Sequence, residues 1–114
     1  MTHVPYNESL FSGSVTGNGN TQSTPIITRW VKEGIFFVDI TALGSSTTLT
    51  ITLKTYNTLA DKWHKMAVWD GFASTGTDEV FIGYGLGDKM SITYSFSGGT
   101  TTATFSVNAH LKEF

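Results

Sequence analysis

The chain has 114 residues, a length that predicts one domain with a single hydrophobic core. Charged residues make up 14% and the net charge is −2, which argues against a nucleic-acid partner because no basic excess is available to bind phosphates. Cysteine is absent, so disulfides and thiolate metal sites are excluded. Since no signal peptide is recognised and no apolar run approaches roughly 20 residues, we expect a soluble protein with no membrane partner, made in the cytoplasm.

The first third of the chain predicts an arm, a flexible loop and two weak strands. Residues 1–8 are predicted to form an N-terminal arm, and residues 9–114 the β-sandwich domain. Apolar and polar residues alternate weakly over 9–16, and the Gly- and Asn-rich stretch 16–24 then predicts a flexible loop or an edge crossing. Residues 25–31 predict a short edge strand, because the proline that opens it cannot donate to a ladder.

Residues 35–42 form the clearest predicted strand, after a turn at Glu33 and Gly34. Because side chains alternate across a strand, two sets of residues point to opposite faces. One set is Phe36, Val38, Ile40 and Ala42, and the other is Ile35, Phe37, Asp39 and Thr41. Both sets begin with apolar residues, so this strand is predicted to be central in its sheet.

The middle of the chain predicts three further strands. Residues 43–46 predict a hairpin turn into a strand over 48–54, with the alternating residues Leu49, Ile51 and Leu53 facing inward. Residues 62–69 alternate without showing which face is buried, and a loop over 70–76 leads to a strand over 79–84.

The C-terminal part predicts a hairpin after a glycine-rich turn or bulge at 83–88. Its first strand spans 89–97, residues 97–100 form the turn, and alternating apolar residues line the inner faces of both strands. These inward residues are Met90, Ile92, Tyr94, Phe96, Ala103, Phe105, Val107, Ala109 and Leu111. Seven or eight short strands without a helix predict an all-β fold, a single antiparallel β-sandwich of jelly-roll or immunoglobulin-like type.

Side chains that support catalysis or metal binding are scattered along the chain. The three histidines lack the local spacing of a metal pair. Four carboxylates in or beside loops lack the ordered spacing of a calcium loop, although calcium stays open as an alternative: Asp70, Asp78, Glu79 and Asp88. The glycines of 83–88 precede a strand, not the helix of a dinucleotide site. We therefore predict no catalytic, cofactor-binding or metal-binding residue, and a protein that is not an enzyme.

Five aromatic residues lie outside the best inward-facing sets: Trp30, Trp63, Trp69, Phe72 and Tyr84. Exposed Trp and Tyr anchor protein interfaces or stack on sugar rings. Burial in the core is the competing interpretation, because tryptophan is highly buried on average. These five are the candidate partner-contact residues.

Several segments together resemble a known family. They are residues 12–20, 38–42, 45–53, 94–100 and 104–107, with Trp63 between the third and fourth. The arrangement resembles small structural proteins encoded among the head genes of tailed bacteriophages. The resemblance implies a virion component made in the host cytoplasm, an auxiliary protein that decorates or cements the capsid surface in many copies. It also implies partners among the major capsid protein or other virion subunits, and a homo-oligomer.

A second hypothesis is a carbohydrate- or receptor-binding module, in which Trp63, Trp69 and Tyr84 form a stacking platform for a glycan. Under either hypothesis the threonine-rich outer faces of 48–54 and 91–97 are predicted contact surfaces, together with the N-terminal arm. Hydroxyl side chains there can hydrogen-bond a neighbour without the entropy cost of ordering long charged side chains.

Overall fold

The computed structural model describes residues 6–83 and 85–113, which form an all-β fold. The nine strands are β1 Tyr6–Thr16, β2 Gly19–Asn20, β3 Ile26–Ile27, β4 Val31–Leu43, β5 Thr48–Asn57, β6 Lys62–Phe72, β7 Gly76–Ile82, β8 Lys89–Ser97 and β9 Thr102–Glu113. Within these residues there is no helix with the length and hydropathy to span a bilayer.

The strands form two antiparallel sheets packed as a sandwich. The first sheet has the order β1-β9-β4-β7, and the second has the order β2-β8-β5-β6, with β3 also pairing β8. In an immunoglobulin sandwich the first two strands pair with each other and so do the last two. Here β1 and β2 lie in different sheets, and so do β8 and β9, an arrangement that is a jelly roll.

The inward faces predicted from alternation are confirmed except at Ala42, which is exposed because a bulge after Ile40 shifts the alternation. The buried core combines β4, β5, β8 and β9 with single residues from the other strands and loops. Its fully buried side chains include Phe36, Val38, Ile40, Leu49, Ile51, Leu53, Met90, Ile92, Val107 and Leu111. Strand β4 lies between β9 and β7, so the prediction that it is central is also confirmed.

Two predicted hairpins are wrong. Strand β4 is in the first sheet and β5 in the second, and the same split separates β8 from β9. Residues 44–47 and 98–101 therefore carry the chain from one sheet to the other. Alternation and turn-forming residues look the same in a sequence whether the chain folds back beside itself or crosses to the facing sheet, so the pattern cannot separate the two cases.

These two crossing connections are bonded to each other at one end of the sandwich. The Gly44 amide donates to the Thr102 carbonyl at 2.8 Å, and the Thr100 amide donates to the Ser45 carbonyl at 2.9 Å. A hairpin turn forms its hydrogen bonds between its own two strands, whereas these bonds join one connection to the other.

The predicted flexible loop at 16–24 is partly ordered by the second sheet. It contains β2, and Thr21 is buried. The Thr21 amide donates to the Ile92 carbonyl at 2.9 Å, and the Thr21 hydroxyl accepts from the Ile92 amide at 3.0 Å. The buried Thr21 hydroxyl is thus hydrogen-bonded to a backbone amide of β8, a contact that the sequence pattern does not show.

Other element boundaries also differ from prediction. Strand pairing begins at Tyr6, inside the predicted arm, and residues 1–5 lie outside the described part of the chain. Strand β4 begins at Val31 and runs through Glu33 and Gly34, where a turn is predicted, with a bulge in its pairing to β9. Strand β6 continues to Phe72, which shortens the predicted loop at 70–76.

Candidate functional site

The structure places the five predicted contact residues in different surroundings. Trp69 is 5% exposed and belongs to the core, because it pairs with buried Ile51 and faces inward with it. Its prediction as an exposed contact residue is corrected accordingly. Phe72 is half-buried against the core at the far end of β6, and Tyr84 lies outside the described residues.

Trp30 and Trp63 lie at the opposite end of the sandwich from Phe72. Trp30 is 64% exposed in the turn between β3 and β4, with the Arg29 guanidinium 5.4 Å from its ring centroid. The Thr28 amide ties this turn to the Asp88 carbonyl at 2.9 Å. Asp88 also accepts from Thr58, at 2.5 Å, in the turn between β5 and β6.

Leu59 stands in that β5–β6 turn and is 100% exposed. Because both turns are bonded to Asp88, Trp30 and Leu59 project from one end of the molecule. We call these two residues the tryptophan end. It holds one predicted contact residue and one that the alternation pattern gives no reason to select.

Exposed phenylalanines form a patch on the outer face of the first sheet. Phe37 is 43% exposed and Phe81 is 61% exposed. In the β4–β7 ladder Ile35 pairs with Phe81 and Phe37 pairs with Glu79. Directly paired residues point to the same side of a sheet, and Asp39 follows on that side. We call Ile35, Phe37, Asp39, Glu79 and Phe81 the phenylalanine face.

Polar residues of β9 and β1 extend this face away from β7. His110 pairs with Ile35 across the β4–β9 ladder, and its Nδ1 lies 3.0 Å from Oδ1 of Asn7. One shallow cleft is lined by Ile35, Phe81 and His110, and another by Asn7, Phe37 and neighbouring residues. The exposed rings are thus bordered by hydrogen-bonding groups, a composition seen at protein interfaces.

The two carboxylates of the phenylalanine face lack a cationic partner. Across residues 6–83 and 85–113 one salt bridge forms, between Lys112 Nζ and Glu33 Oε1 at 3.8 Å. Asp39 and Glu79 take part in no salt bridge there. Their negative charges therefore face outward beside apolar rings.

Lysines and aromatic rings form a second patch, on the outer face of the second sheet. Lys54 pairs with Lys65, and Tyr56 pairs with Trp63, across the β5–β6 ladder. Lys89 Nζ lies 4.2 Å from the Tyr56 ring centroid and 5.7 Å from that of Trp63. The two rings contact edge to face, with centroids 5.1 Å apart. We call these five residues the lysine face.

The pairing of Lys54 with Lys65 carries an energetic cost. Like charges directly opposite each other on neighbouring strands are destabilising. In the described part of the chain no carboxylate forms a salt bridge with either lysine or with Lys89. The lysine face therefore carries three lysines against one carboxylate, Asp61, which accepts from the Tyr56 hydroxyl. It is positive on balance, on a protein whose net charge is −2.

The two predicted threonine-rich faces are neighbours and continue the lysine face. Strands β5 and β8 pair directly, with Thr52 opposite Thr93. Ser91, which is opposite Lys54, is fully buried, so its prediction as part of a contact surface is corrected. The remaining hydroxyls form a polar extension of the lysine face.

The described residues contain no group of three or more His, Cys, Asp or Glu side chains placed to hold a metal ion. His64 is on β6 of the second sheet and His110 on β9 of the first, while His3 lies outside the described residues. The loop carboxylates considered for calcium do not form such a group either.

Sequence reasoning missed the phenylalanine face and the paired lysines. A signal for the former exists, because Ile35 and Phe37 make the second face of the β4 segment apolar. From that pattern we predict only that the strand is central in its sheet, because apolar residues on both faces are also expected of a strand with a covered second face. Phe81 and Glu79 join Phe37 through the β4–β7 register, and Lys54 meets Lys65 through the β5–β6 register, which single segments do not show.

No protein-family model and no curated protein sequence matches the chain significantly. Solved structures with the same fold do match. The SPBc2 prophage-derived protein YomS aligns with a TM-score of 0.53 and 10% identity, over 99% of this chain and 96% of that one. Eiger TNF from S. frugiperda aligns with a TM-score of 0.51 and 12% identity, over 98% and 93% of the two chains.

A protein of the infectious bursal disease virus particle aligns with a TM-score of 0.52 and 14% identity. The match covers 97% of this chain and 31% of that longer chain. At such identities the likeness shows a shared fold. The structural neighbours of this β-sandwich thus include a prophage protein and a viral particle protein.

Proposed function

We propose that this protein is an auxiliary structural subunit of a bacteriophage virion, which binds other subunits on the assembled head in many copies and catalyses no reaction. The observation that carries the proposal is the placement of large apolar side chains on the surface of a jelly roll. Phe37, Phe81, Trp30 and Leu59 are all exposed. They lie in two groups, the tryptophan end and the phenylalanine face, and exposed apolar patches mark surfaces that are covered by a partner.

The structural neighbours support this assignment. YomS is described as prophage-derived and matches over nearly the whole of both chains. The infectious bursal disease virus protein belongs to a viral particle. The tailed-bacteriophage resemblance of the sequence points in the same direction, and a jelly roll is a fold used by viral capsid domains.

The tryptophan end is the proposed contact with the head. Trp30 and Leu59 stand on turns that are bonded to the body of the sandwich through Asp88. A large aromatic anchor on a rigid support loses little conformational entropy on binding.

Co-sedimentation with heads that lack the protein tests this proposal. Wild-type protein is expected to bind saturably with many copies per head, and the Trp30→Ser/Leu59→Ser variant at least about tenfold more weakly, since a buried tryptophan anchor contributes ~2 kcal/mol or more. The variant Thr41→Ser, on the exposed part of β4, is the matched control. Wild-type protein that stays in the supernatant would refute the proposed function.

A carbohydrate- or receptor-binding role is the second candidate, favoured by the lysine face. Tyr56 and Trp63 offer aromatic rings beside lysines and the hydroxyls of Thr52 and Thr93. Glycan-array binding that is lost in Trp63→Ala and kept in Trp30→Ala would support this function. Trp69 is excluded from such a platform by its burial.

A further inference from the structure

We propose that copies of this chain associate head to tail, with the phenylalanine face of one copy packed on the lysine face of the next. The contact would join many copies to one another, so its biological purpose rests on the proposed function. The contact itself forms between copies of the purified protein. Heads are not needed to test it.

Charge is separated between the two sheets. The strands of the first sheet carry more acidic than basic residues: Glu8, Glu33, Asp39, Asp78, Glu79 and Glu113 against Lys32 and Lys112. The strands of the second sheet have the opposite balance: Lys54, Lys62, Lys65 and Lys89 against Asp70. Not all of these side chains point outward, because Glu8, Asp78 and Glu113 pair with the buried residues Ala109, Val38 and Val31. Among residues whose register points them outward the balance keeps its sign, with Glu33, Asp39 and Glu79 against Lys112 on the first sheet and Lys54, Lys65 and Lys89 against Asp70 on the second. The small net charge therefore conceals one negative and one positive broad side.

The two faces complement each other in chemistry as well as in charge. On one, Asp39 and Glu79 flank exposed phenylalanines, and on the other, Lys54 and Lys65 flank an aromatic pair. None of these four charged groups forms a salt bridge within the described residues. A contact between the faces would pair them and bury the rings against each other, the combination that gives an interface both affinity and register.

The same charges disfavour a symmetric dimer. In a two-fold contact the same patch of both subunits meets, so two lysine faces or two phenylalanine faces would oppose each other. Either arrangement places unpaired charges of like sign together. The contact between unlike faces is the one that relieves the repulsion between Lys54 and Lys65.

The size and direction of the faces set the kind of assembly. The molecule measures 49 × 30 × 19 Å, so the broad side of the sandwich on which each face lies is larger than the roughly 800 Å² per partner of a stable interface. The outer faces of a sandwich point in opposite directions, so repeated contacts extend as an open stack. A heterologous contact of this kind does not stop at two copies.

The first test measures mass against concentration in low salt by light scattering and sedimentation velocity. The average mass is expected to rise beyond that of a dimer as concentration increases, and to fall when the salt is raised to about 1 M, where the screening length shrinks to roughly 3 Å. A monomer at every concentration, or a dimer that does not grow, would overturn the proposal.

Charge reversal of each face provides the decisive test. Lys54→Glu/Lys65→Glu makes both faces negative, and Asp39→Lys/Glu79→Lys makes both positive. Each variant alone is expected to need at least about tenfold more protein to associate. An equimolar mixture is expected to regain association, because each mutated face then meets a complementary one. The matched control Arg29→Glu/Lys32→Glu reverses two exposed cations outside both faces and should associate like wild type.

Failure of the mixture to recover association, with both variants folded by circular dichroism, would refute the pairing of these faces. Head binding by wild-type protein is a separate readout. A protein that coats heads but stays monomeric in solution would contradict this inference and leave the proposed function standing. A protein that stacks in solution but does not bind heads would support this inference and contradict the proposed function.

Discussion

At the scale of single residues, one serine in an alternating strand is buried although its position in the pattern predicts exposure. Ser91 is fully buried, and its hydroxyl has no hydrogen-bond partner in the described structure. A buried hydroxyl without a partner costs about 1–3 kcal/mol. Thr21, by contrast, uses its hydroxyl to accept from the Ile92 amide. Both residue types suit a strand, but of these two hydroxyls only that of Thr21 lies within hydrogen-bonding distance of a partner.

Replacing Ser91 by alanine is expected to raise the free energy of unfolding by roughly 1 kcal/mol, because the unpaired hydroxyl is removed and the volume is nearly kept. Urea unfolding, followed by circular dichroism, measures the change. Ser95→Ala, on the same outer face but exposed, is the control and should change stability by less than about 0.5 kcal/mol. A loss of stability in Ser91→Ala would contradict the assignment of this hydroxyl as unpaired.

The titration of Tyr6 links folding to pH. Its pKa is raised above the ordinary tyrosine value by burial, with the nearby charges of Glu113 and Glu8 adding to the effect. The folded state therefore holds the phenolic proton more tightly than the unfolded state. This contribution to stability is complete below about pH 10 and is lost as the pH rises through the folded-state pKa.

Tyr6→Phe removes this linkage. The variant is expected to lose less stability than wild type between pH 8 and pH 11, measured by urea unfolding at each pH. Lysine titration occurs in both proteins and cancels in the comparison. Equal losses in the two proteins would show that Tyr6 does not titrate differently on folding.

At the scale of elements, the two crossing connections decide the topology. Gly44 and Gly99 lie in them, and a side chain at either position would collide with the backbone of the other connection. Gly99 also has a φ of 56°, which favours glycine. The glycines that suggest hairpin turns in the sequence are instead required where two segments of backbone pack closely.

Gly44→Ala is expected to destabilise the fold by about 1–3 kcal/mol, because the new methyl group overlaps the Thr100 carbonyl and one connection must move. Thermal unfolding measures the effect. Gly76→Ala is the matched control, since a methyl group there meets nothing within 4 Å, and it should unfold within a few degrees of wild type. A neutral Gly44→Ala would mean that the two connections are not tightly packed.

At the scale of the whole molecule, strands from the two ends of the chain are neighbours. Strand β1 pairs with β9 over most of its length, and β9 lies between β1 and β4. Most of the sheet pairing is therefore between segments far apart in sequence. Such topologies fold slowly because loop closure precedes the contacts that stabilise it.

Refolding is accordingly expected in milliseconds to seconds. Fluorescence of the buried Trp69 in a Trp30→Phe/Trp63→Phe background, after rapid dilution from urea, reports on core formation. A microsecond phase that accounts for the full amplitude would contradict this expectation.

The distribution of charge over the folded molecule is less even than the net charge suggests. From composition, a net charge of −2 indicates a nearly neutral surface. The topology sends most strand carboxylates to one sheet and most strand lysines to the other. The proposed stacking depends on this separation and not on the total.

The sequence by itself determined the all-β class and the inward residues of β4, β5, β8 and β9, because the two-residue period is a local property of each strand. Only the tertiary structure decided which sheet each strand joins, that Trp69 is buried, and that Phe37 and Phe81 form one exposed patch. It also brought Lys54 opposite Lys65. These outcomes depend on the register between distant strands. An alternating pattern is compatible with several partner strands, so it does not select one of them.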